Sequence, residues 1–342
     1  MKRLPLGKLD PRLLTKLLEK YTGATNSQLV IGPSVGEDAA VIRLRRMGDR
    51  YLVAKSDPIT YATEHIGWYA VHINANDIAT LGAEPKWFLA TLLLPEGKTD
   101  EGLVRGIFAD MARAAKELGV ALSGGHTEVT PGLDRPILIG HMLGEVDRDR
   151  LVLKTNVRPG DRIILTKGIA IEGTALIARE KSGELVTHFG KAFVQRAKRF
   201  LLEPGISIVK EALTAARAAR VHAMHDLTEG GLATGIREMA GIAGLGAEVD
   251  RQRIHVLPET QELCSYYGLD PLGTIASGSL LIAVAPRDRN KVLSALRAEG
   301  IRAEDIGCLV EKARGLKLME DGRLKKFPAF KADEVTRILS RD

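Results

Sequence analysis

Two apolar periods alternate along this chain. Runs that are continuous, or that alternate every second residue, predict strands over 29–33, 39–44 and 51–55, with a loop from Gly32 to Gly36 between the first two. Apolar residues then recur at helical spacing over 65–81, a predicted helix that Gly82 ends and Pro85 stops. Ile66, Tyr69, Ala70, Ile73, Ala75, Ile78 and Leu81 largely supply its core stripe. Asn74 and Asp77, at i and i+3, fall beside that stripe, where a solvated helix would place them opposite. An apolar strand follows over 87–94, closed by Pro95, then an amphipathic helix over 100–118, closed by Gly119. Val120–Ser123 reads as a strand entering a turn at Gly124-Gly125-His126-Thr127-Glu128, and 137–146 as another strand.

After a turn at Val157-Arg158-Pro159-Gly160-Asp161 the same style begins again with a strand at Arg162–Thr166. Helices are expected near 171–180, 190–201 and 206–219, then a short strand at Val221–Met224 and a helix after Glu229. Strands at 279–285 and 306–311 flank a helix at 287–299. The expected class is α/β, as two domains of α+β character that divide near 148–160. The division runs as a helical extension over 1–28, a first domain over 29–150, a second over 151–315 and a tail over 316–342. There is no short-period repeat and no low-complexity segment.

Composition narrows the function classes. At 342 residues the chain can hold two domains with their own cores. Its 45% hydrophobic and 27% charged residues are the proportions of a globular protein. No stretch approaches the roughly 20 apolar residues of a membrane span, and the basic start lacks the apolar segment of a signal peptide. Two cysteines, Cys264 and Cys308, give neither a disulfide framework nor a zinc pattern, so a reducing cytoplasm is the expected location. The net charge of +6 does not make a nucleic-acid binder. Lys and Arg are spread among acids, the clusters at Arg43, Arg45 and Arg46 and at Lys325 and Lys326 are short, and aromatics are only 4% of residues. Neither a membrane nor a nucleic-acid partner is expected.

Candidate chemistry starts from three aspartates: Asp38 in Gly36-Glu37-Asp38-Ala39-Ala40-Val41, Asp57 in Ala54-Lys55-Ser56-Asp57, and Asp77 in Asn74-Ala75-Asn76-Asp77-Ile78. Each carboxylate sits in or beside an apolar run, where an unpaired charge is costly to desolvate. Acidic oxygens without thiolates suit a hard cation, of which magnesium carried by nucleotide phosphates is the usual case. The loop from Gly32 to Asp38 could present backbone N–H groups to phosphate, or serve as a plain turn. Neither a Walker A sequence nor a dinucleotide fingerprint occurs. At Met224-His225-Asp226-Leu227-Thr228-Glu229-Gly230-Gly231-Leu232 a strand passes into a helix that Asp226 or Thr228 could cap, with two glycines that let phosphate or substrate approach backbone. The spacings of His65 with His72 and of His222 with His225 do not make a helix-borne zinc motif. No Gly-x-Ser-x-Gly elbow is present, and both cysteines read as small buried hydrophobes.

Together these segments resemble the aminoimidazole-ribonucleotide synthetase (PurM-like) superfamily over about residues 30–312. Gly36-Glu37-Asp38-Ala39-Ala40-Val41 is similar to its Gly-Asp-Asp-Ala-Ala-Val, and Ser56-Asp57 to its Thr-Asp strand end. Asn76-Asp77-Ile78-Ala79-Thr80-Leu81-Gly82-Ala83-Glu84-Pro85 is similar to its Asn-Asp-x-x-x-Met-Gly-Ala-x-Pro. Within the superfamily the run from Met224 to Ala233 resembles the Met-Arg-Asp-Pro-Thr-Arg-Gly-Gly-Leu-Ala of the HypE-type hydrogenase-maturation proteins, and the run from Ala276 to Val284 the strand that follows it there.

The resemblance implies a homodimer whose first domains share a β-barrel, with a second αβ domain packed against each. ATP and Mg2+ are the implied cofactors. Metal would fall to Asp38, Asp57 and Asp77, and nucleotide to Gly36, Asp38, Asn74, Gly125 and Thr127. Asp226 would face phosphates or substrate from the second domain, with His126 as a second catalytic candidate. The implied reaction is ATP-dependent activation of an acceptor oxygen, as in hydrogenase-maturation dehydration, with a small-molecule or protein-bound acceptor and a maturation or carbamoyl-transfer partner. Two departures stand against the pattern. The sequence ends Arg337-Ile338-Leu339-Ser340-Arg341-Asp342, without the terminal cysteine of HypE proteins, and His126 stands where they usually place an acid. A small-molecule kinase of the thiamine-monophosphate type and an inactive nucleotide-binding scaffold are the competing readings.

Overall fold

Alternating apolar residues in the first half assemble one sheet, and those in the second half another. The computed structural model describes residues 10–21, 27–35, 37–44, 48–59 and 64–339. Helix α1 (Pro11–Tyr21) precedes strands β1 (Leu29–Ile31), β2 (Ala40–Arg43) and β3 (Arg50–Ile59), and helix α2 (Ile66–Thr80). Strand β4 (Glu84–Pro95), helix α3 (Glu101–Leu118) and strands β5 (Ala121–Thr130) and β6 (Ile137–Asp147) complete the first half. Its sheet runs β1-β2-β3-β6-β4-β5, antiparallel except for the parallel β4–β5 pair.

The second half contains β7 (Arg162–Thr166), α4 (Ile171–Glu180), α5 (Ser182–Phe189), α6 (Lys191–Arg199), α7 (Val209–Ala218), β8 (Val221–Asp226) and α8 (Gly231–Ile242). After these come β9 (Gly246–Asp250), α9 (Pro258–Tyr267), β10 (Leu280–Val284), α10 (Arg289–Ala298), β11 (Ala303–Val310), β12 (Leu316–Glu320), β13 (Arg323–Lys326) and the short α11 (Thr336–Leu339). Seven strands order as β13-β12-β9-β11-β7-β10-β8, with β12–β9 the parallel pair. The chain is thus the mixed α/β protein with two sheets that its pattern predicts. Elements β9, α5, α9, β12 and β13 go beyond that pattern: each is short, and α9 announces itself only by Pro258 at its start and Gly268 at its end. Among the described residues no helix is long and apolar enough to cross a membrane.

Helix α2 departs from expectation in an informative way. All 15 of its residues are buried, so there is no solvent face for a stripe to oppose. It packs on β3, β4, β6 and α3 from the first half and on α7 and β8 from the second. The apolar core is accordingly continuous: Ile78, Phe88 and Met142 belong to the same cluster as Ile164, Met224 and Ile282. Polar groups on such a helix must find partners inside the protein. Asn76, wholly buried, does so across the two halves: its Nδ2 donates to the Ile206 carbonyl at 2.8 Å and its Oδ1 accepts the Ile208 N–H at 2.9 Å. Lys167 donates to the carbonyls of Gly205 and Ser207 and so grips the same segment from the other side.

The stretch 124–128, expected as a turn, is continuous strand in β5. Gly124 and Gly125 take φ of 139° and 145°, and a Cβ on Gly125 would overlap the backbone of Ala90, so Gly125 allows close strand approach where a chain reversal was expected. Asn76→Ala leaves two buried backbone groups without partners and should cost about 2–5 kcal/mol of stability. Urea denaturation measures it; an unchanged midpoint would show that the Asn76 contacts do not hold the two halves together.

Candidate active site

Each half delivers carboxylates to the seam between them. Asp38 lies just before β2 and Asp57 near the end of β3. Asp77 and Thr80 sit on the last turn of α2, and Asp226 closes β8. These four acids feel one another electrostatically: Asp77 is influenced by Asp226, Asp38 and Asp57, and Asp226 by Asp38. Two lysines interleave them. Lys55 Nζ lies 2.9 Å from Asp77 Oδ2 and 3.7 Å from Asp57 Oδ2, and Lys154 Nζ, only 2% exposed, lies 2.7 Å from Asp38. Thr80 Oγ1 also donates to Asp38 at 3.0 Å.

From Lys154 a polar chain leads outward. Its Nζ is 3.0 Å from His225 Nδ1, and His225 Nε2 is 2.8 Å from Glu238 on α8. Burial and the Lys154 charge resist a proton on this ring, whereas hydrogen bonds with Asp38 and Glu238 favour it and push its pKa up to about 9. Its Nδ1 also meets the Lys154 ammonium, which could donate to it only when that nitrogen carries no proton, so Lys154 and the two carboxylates compete for the ring.

Charge is unevenly compensated across the cluster. Burial opposes ionisation of Asp38, but Lys154 and His225 outweigh it and hold that carboxyl below the usual carboxylate range. Asp77 is displaced the other way: burial raises it, Lys55 only partly offsets this, and the remaining aspartates raise it further. Asp226 is raised by burial and then by Asp38, and its Oδ2 is buried without a hydrogen-bond partner. Asp38, His225 and Asp226 each place a donor atom within 4.8 Å of the others. The His225 nitrogens are already engaged by Lys154 and Glu238, which leaves carboxylate oxygens as the available donors, a set suited to a hard cation.

The other expected residues fall at different distances from this cluster. Asn74 donates to the carbonyls of Asp57 (3.3 Å) and Ala70 (2.8 Å), fixing the end of β3 on α2, while its Oδ1 has no hydrogen-bond partner. Gly125, His126 and Thr127 lie on exposed β5, at the edge of the first sheet, and His126 Nε2 meets Glu128 at 2.8 Å. Strand register aligns Asp57 with Gly140, Ala90 and Gly125 in a single cross-strand row. Gly125 is therefore three strand spacings, about 14 Å, from Asp57. Gly36 lies outside the described residues, as do 340–342. Sequence reasoning missed Lys55, Lys154 and Glu238. The usable signal was a lysine inside an apolar run, in Tyr51-Leu52-Val53-Ala54-Lys55 and Leu151-Val152-Leu153-Lys154.

Because the folded-state pKa of Asp226 is raised, its charge costs stability as pH climbs above its unfolded value and through its folded one. Asp226→Asn should therefore raise the thermal midpoint in EDTA by a few degrees at pH 7, and the gain should vanish near pH 4. A lower midpoint at every pH would show that the carboxylate is a structural contact.

Comparison with known proteins places the fold. The model of the AIR synthase related protein N-terminal domain matches residues 36–146, and that of the C-terminal domain matches 158–316. A putative hydrogenase expression/formation protein of Methanocaldococcus jannaschii is 30% identical over 319 residues, 91% of this chain and 90% of the relative. Carbamoyl dehydratase HypE of Cupriavidus necator is 32% identical over 261 residues, 75% of this chain and 71% of the relative. Among solved structures, a chain of a HypE–HypF complex superposes with TM-score 0.73 at 21% identity, covering 91% of this chain and 99% of the other. A ThiL complexed with AMPPCP and TMP gives TM-score 0.75 at 20% identity, covering 97% and 99%. A HypE in complex with ATP gives 0.65 at 24%, covering 95% and 96%. At these identities the structural likeness is one of fold.

Proposed function

Since the chain belongs to the AIR synthase-related (PurM-like) family and is of the HypE type within it, we propose that it is an ATP- and magnesium-dependent enzyme. It moves the γ-phosphoryl group of ATP to an oxygen of its acceptor, a carbamoyl-type group on a small molecule or a protein, and so prepares that group for dehydration. The observation that carries this reading is the meeting of four aspartates from both halves, with Asp226 Oδ2 buried and unpartnered at the seam. Asp38, Asp57 and Asp77 would hold magnesium, whose bound charge would offset that of the β- and γ-phosphates. The fit rests on an all-oxygen donor set and on Asp226 Oδ2, buried without a hydrogen-bond partner.

The chain's own groups account for the rest. Lys154 and Lys55 lower the net charge of the acids, so that a triphosphate can approach. Asp226 faces the nucleotide from the second half, opposite the acids carried by α2 and β3. Fixing these elements by burial places the reacting groups in advance, which is the larger part of catalysis in phosphoryl transfer. Neither cysteine suits a role as in-chain carrier of the acceptor: burial pushes the Cys264 thiol up to about 12 and also raises Cys308. A maturation partner is supported by the fold match to the chain from a HypE–HypF complex, and a cytoplasmic location by the need for Mg-ATP.

A second copy of this chain is the further partner. Strand β5 ends the first sheet with all but one of its 10 residues exposed, and Leu122 and Val129 on it and Trp87 on β4 leave apolar surface open. An edge of this kind pairs with another chain unless it is blocked. Gly125 and Thr127, remote from the acids within one protomer, would then line a site shared by two.

Asp57→Asn should weaken Mg-dependent ATP binding at least tenfold in calorimetry while the thermal midpoint stays near wild type. Binding that is unchanged would remove Asp57 from the metal site. The double variant Leu122→Lys, Val129→Lys should halve the solution mass measured by light scattering. A wild-type mass equal to that of one chain would contradict the dimer.

A further inference from the structure

Two lysines sit among the four acids, and they are held in different ways. Lys154 Nζ donates to Asp38 at 2.7 Å and meets His225 Nδ1 at 3.0 Å, with its side chain 2% exposed. Lys55 Nζ instead lies between two carboxylates, 2.9 Å from Asp77 Oδ2 and 3.7 Å from Asp57 Oδ2. The Lys55 side chain is 20% exposed and that of Asp57 38%. Its contact with Asp77 is one of charge. Asp77 Oδ2 is buried and, although the ammonium is close, receives no hydrogen bond in a proper direction.

Strand alternation puts this ammonium where it is. Tyr51, Val53, Lys55, Asp57 and Ile59 share one face of β3, on which Tyr51, Val53 and Ile59 are buried. The last turn of α2 brings Asp77 to the same place. The backbone around the pair is fixed. Lys55 stands opposite Met142 in the β3–β6 ladder, and Asn74 Nδ2 holds the Asp57 carbonyl at 3.3 Å. Only the Lys55 side chain is left to move, and it has solvent beside it.

A positive charge at this point does what a bound cation would do. Without it, the end of β3 and the last turn of α2 would bring two like charges together. The two kinds of cation differ in direction. An ammonium offers three N–H bonds at fixed angles, whereas a metal ion takes oxygens from any side that its radius allows. An oxygen that lies near the ammonium but off its donor directions suits the metal ion better.

We propose that Lys55 is a resident cation of the site: it holds Asp57 and Asp77 together in the ligand-free protein and yields them to a divalent cation that arrives with nucleotide. The inference rests on the reading of the acids as a Mg-ATP site and adds to it an order of loading. A divalent cation alone has to displace the ammonium from both carboxylates into solvent. A triphosphate gives the released ammonium a new partner, so metal and nucleotide each favour the other's binding. Lys154, enclosed by Asp38 and His225, stays in place throughout.

Calorimetry tests this with two probes, MgCl2 alone and a magnesium-loaded ATP analogue that cannot be hydrolysed. Lys55→Met keeps most of the stem and drops the charge. Relative to wild type it should bind Mg2+ alone about tenfold more tightly and the loaded analogue about tenfold more weakly. Opposite signs are the mark of exchange, because a lysine that stays on its carboxylates shifts both affinities the same way or neither. A second measurement needs no variant. Acetylation of Lys55, followed by mass spectrometry on wild-type protein, should be slow in EDTA and several-fold faster in saturating MgCl2, with Lys154 slow in both. Affinities that move together or not at all, or a Lys55 that stays protected in MgCl2, overturn the exchange alone if wild type binds the loaded analogue. Wild-type protein that binds neither probe overturns the Mg-ATP reading and this inference with it.

Discussion

Like charges brought together inside a protein repel one another, so four aspartates can share a seam only if other forces hold the seam shut. Here those forces are apolar. Helix α2 is buried on every side and packs against both sheets, and its last turn carries Asp77 into the cluster as a by-product of that burial. Asp226 arrives in the same way, at the end of a strand whose neighbour β10 is buried along its whole length. Lys55 and Lys154 then reduce the repulsion, while burial first and the neighbouring acids second keep Asp77 and Asp226 harder to ionise than ordinary aspartates. A cluster left in this condition favours any ligand that brings positive charge with it.

The acids are legible in the sequence because each interrupts an apolar run, and such interruptions are costly enough to need a reason. Asp38, Asp57 and Asp77 stand out on that ground and do come together. Their balancing lysines do not stand out, although Lys55 lies two residues from Asp57 in the same strand. A lysine near a strand end ordinarily reaches solvent by its length, and only the tertiary fold shows that Lys154 ends in the interior against Asp38.

Two departures from the local pattern have a common cause. Gly124-Gly125 reads as a turn because paired glycines usually mark chain reversal, and α2 reads as a one-sided helix because most helices have a wet face. In both, the deciding contact is long-range: Ala90 crowds Gly125, and a second sheet covers the side of α2 that solvent would otherwise touch. Local pattern names these elements correctly in type or in place, but their surroundings lie elsewhere in the sequence.

Asn76 and Asp77 are consecutive on α2, one tying the helix to the 206–208 backbone and the other facing the acids. Two tasks thus share one turn of helix, and no slack separates them. A ligand held at Asp77, as proposed, would therefore be coupled to the contacts of Asn76, and such coupling is reciprocal: whatever strengthens one strengthens the other by the same factor. The tie between the halves and the proposed ligand site are neighbouring residues on one helical turn.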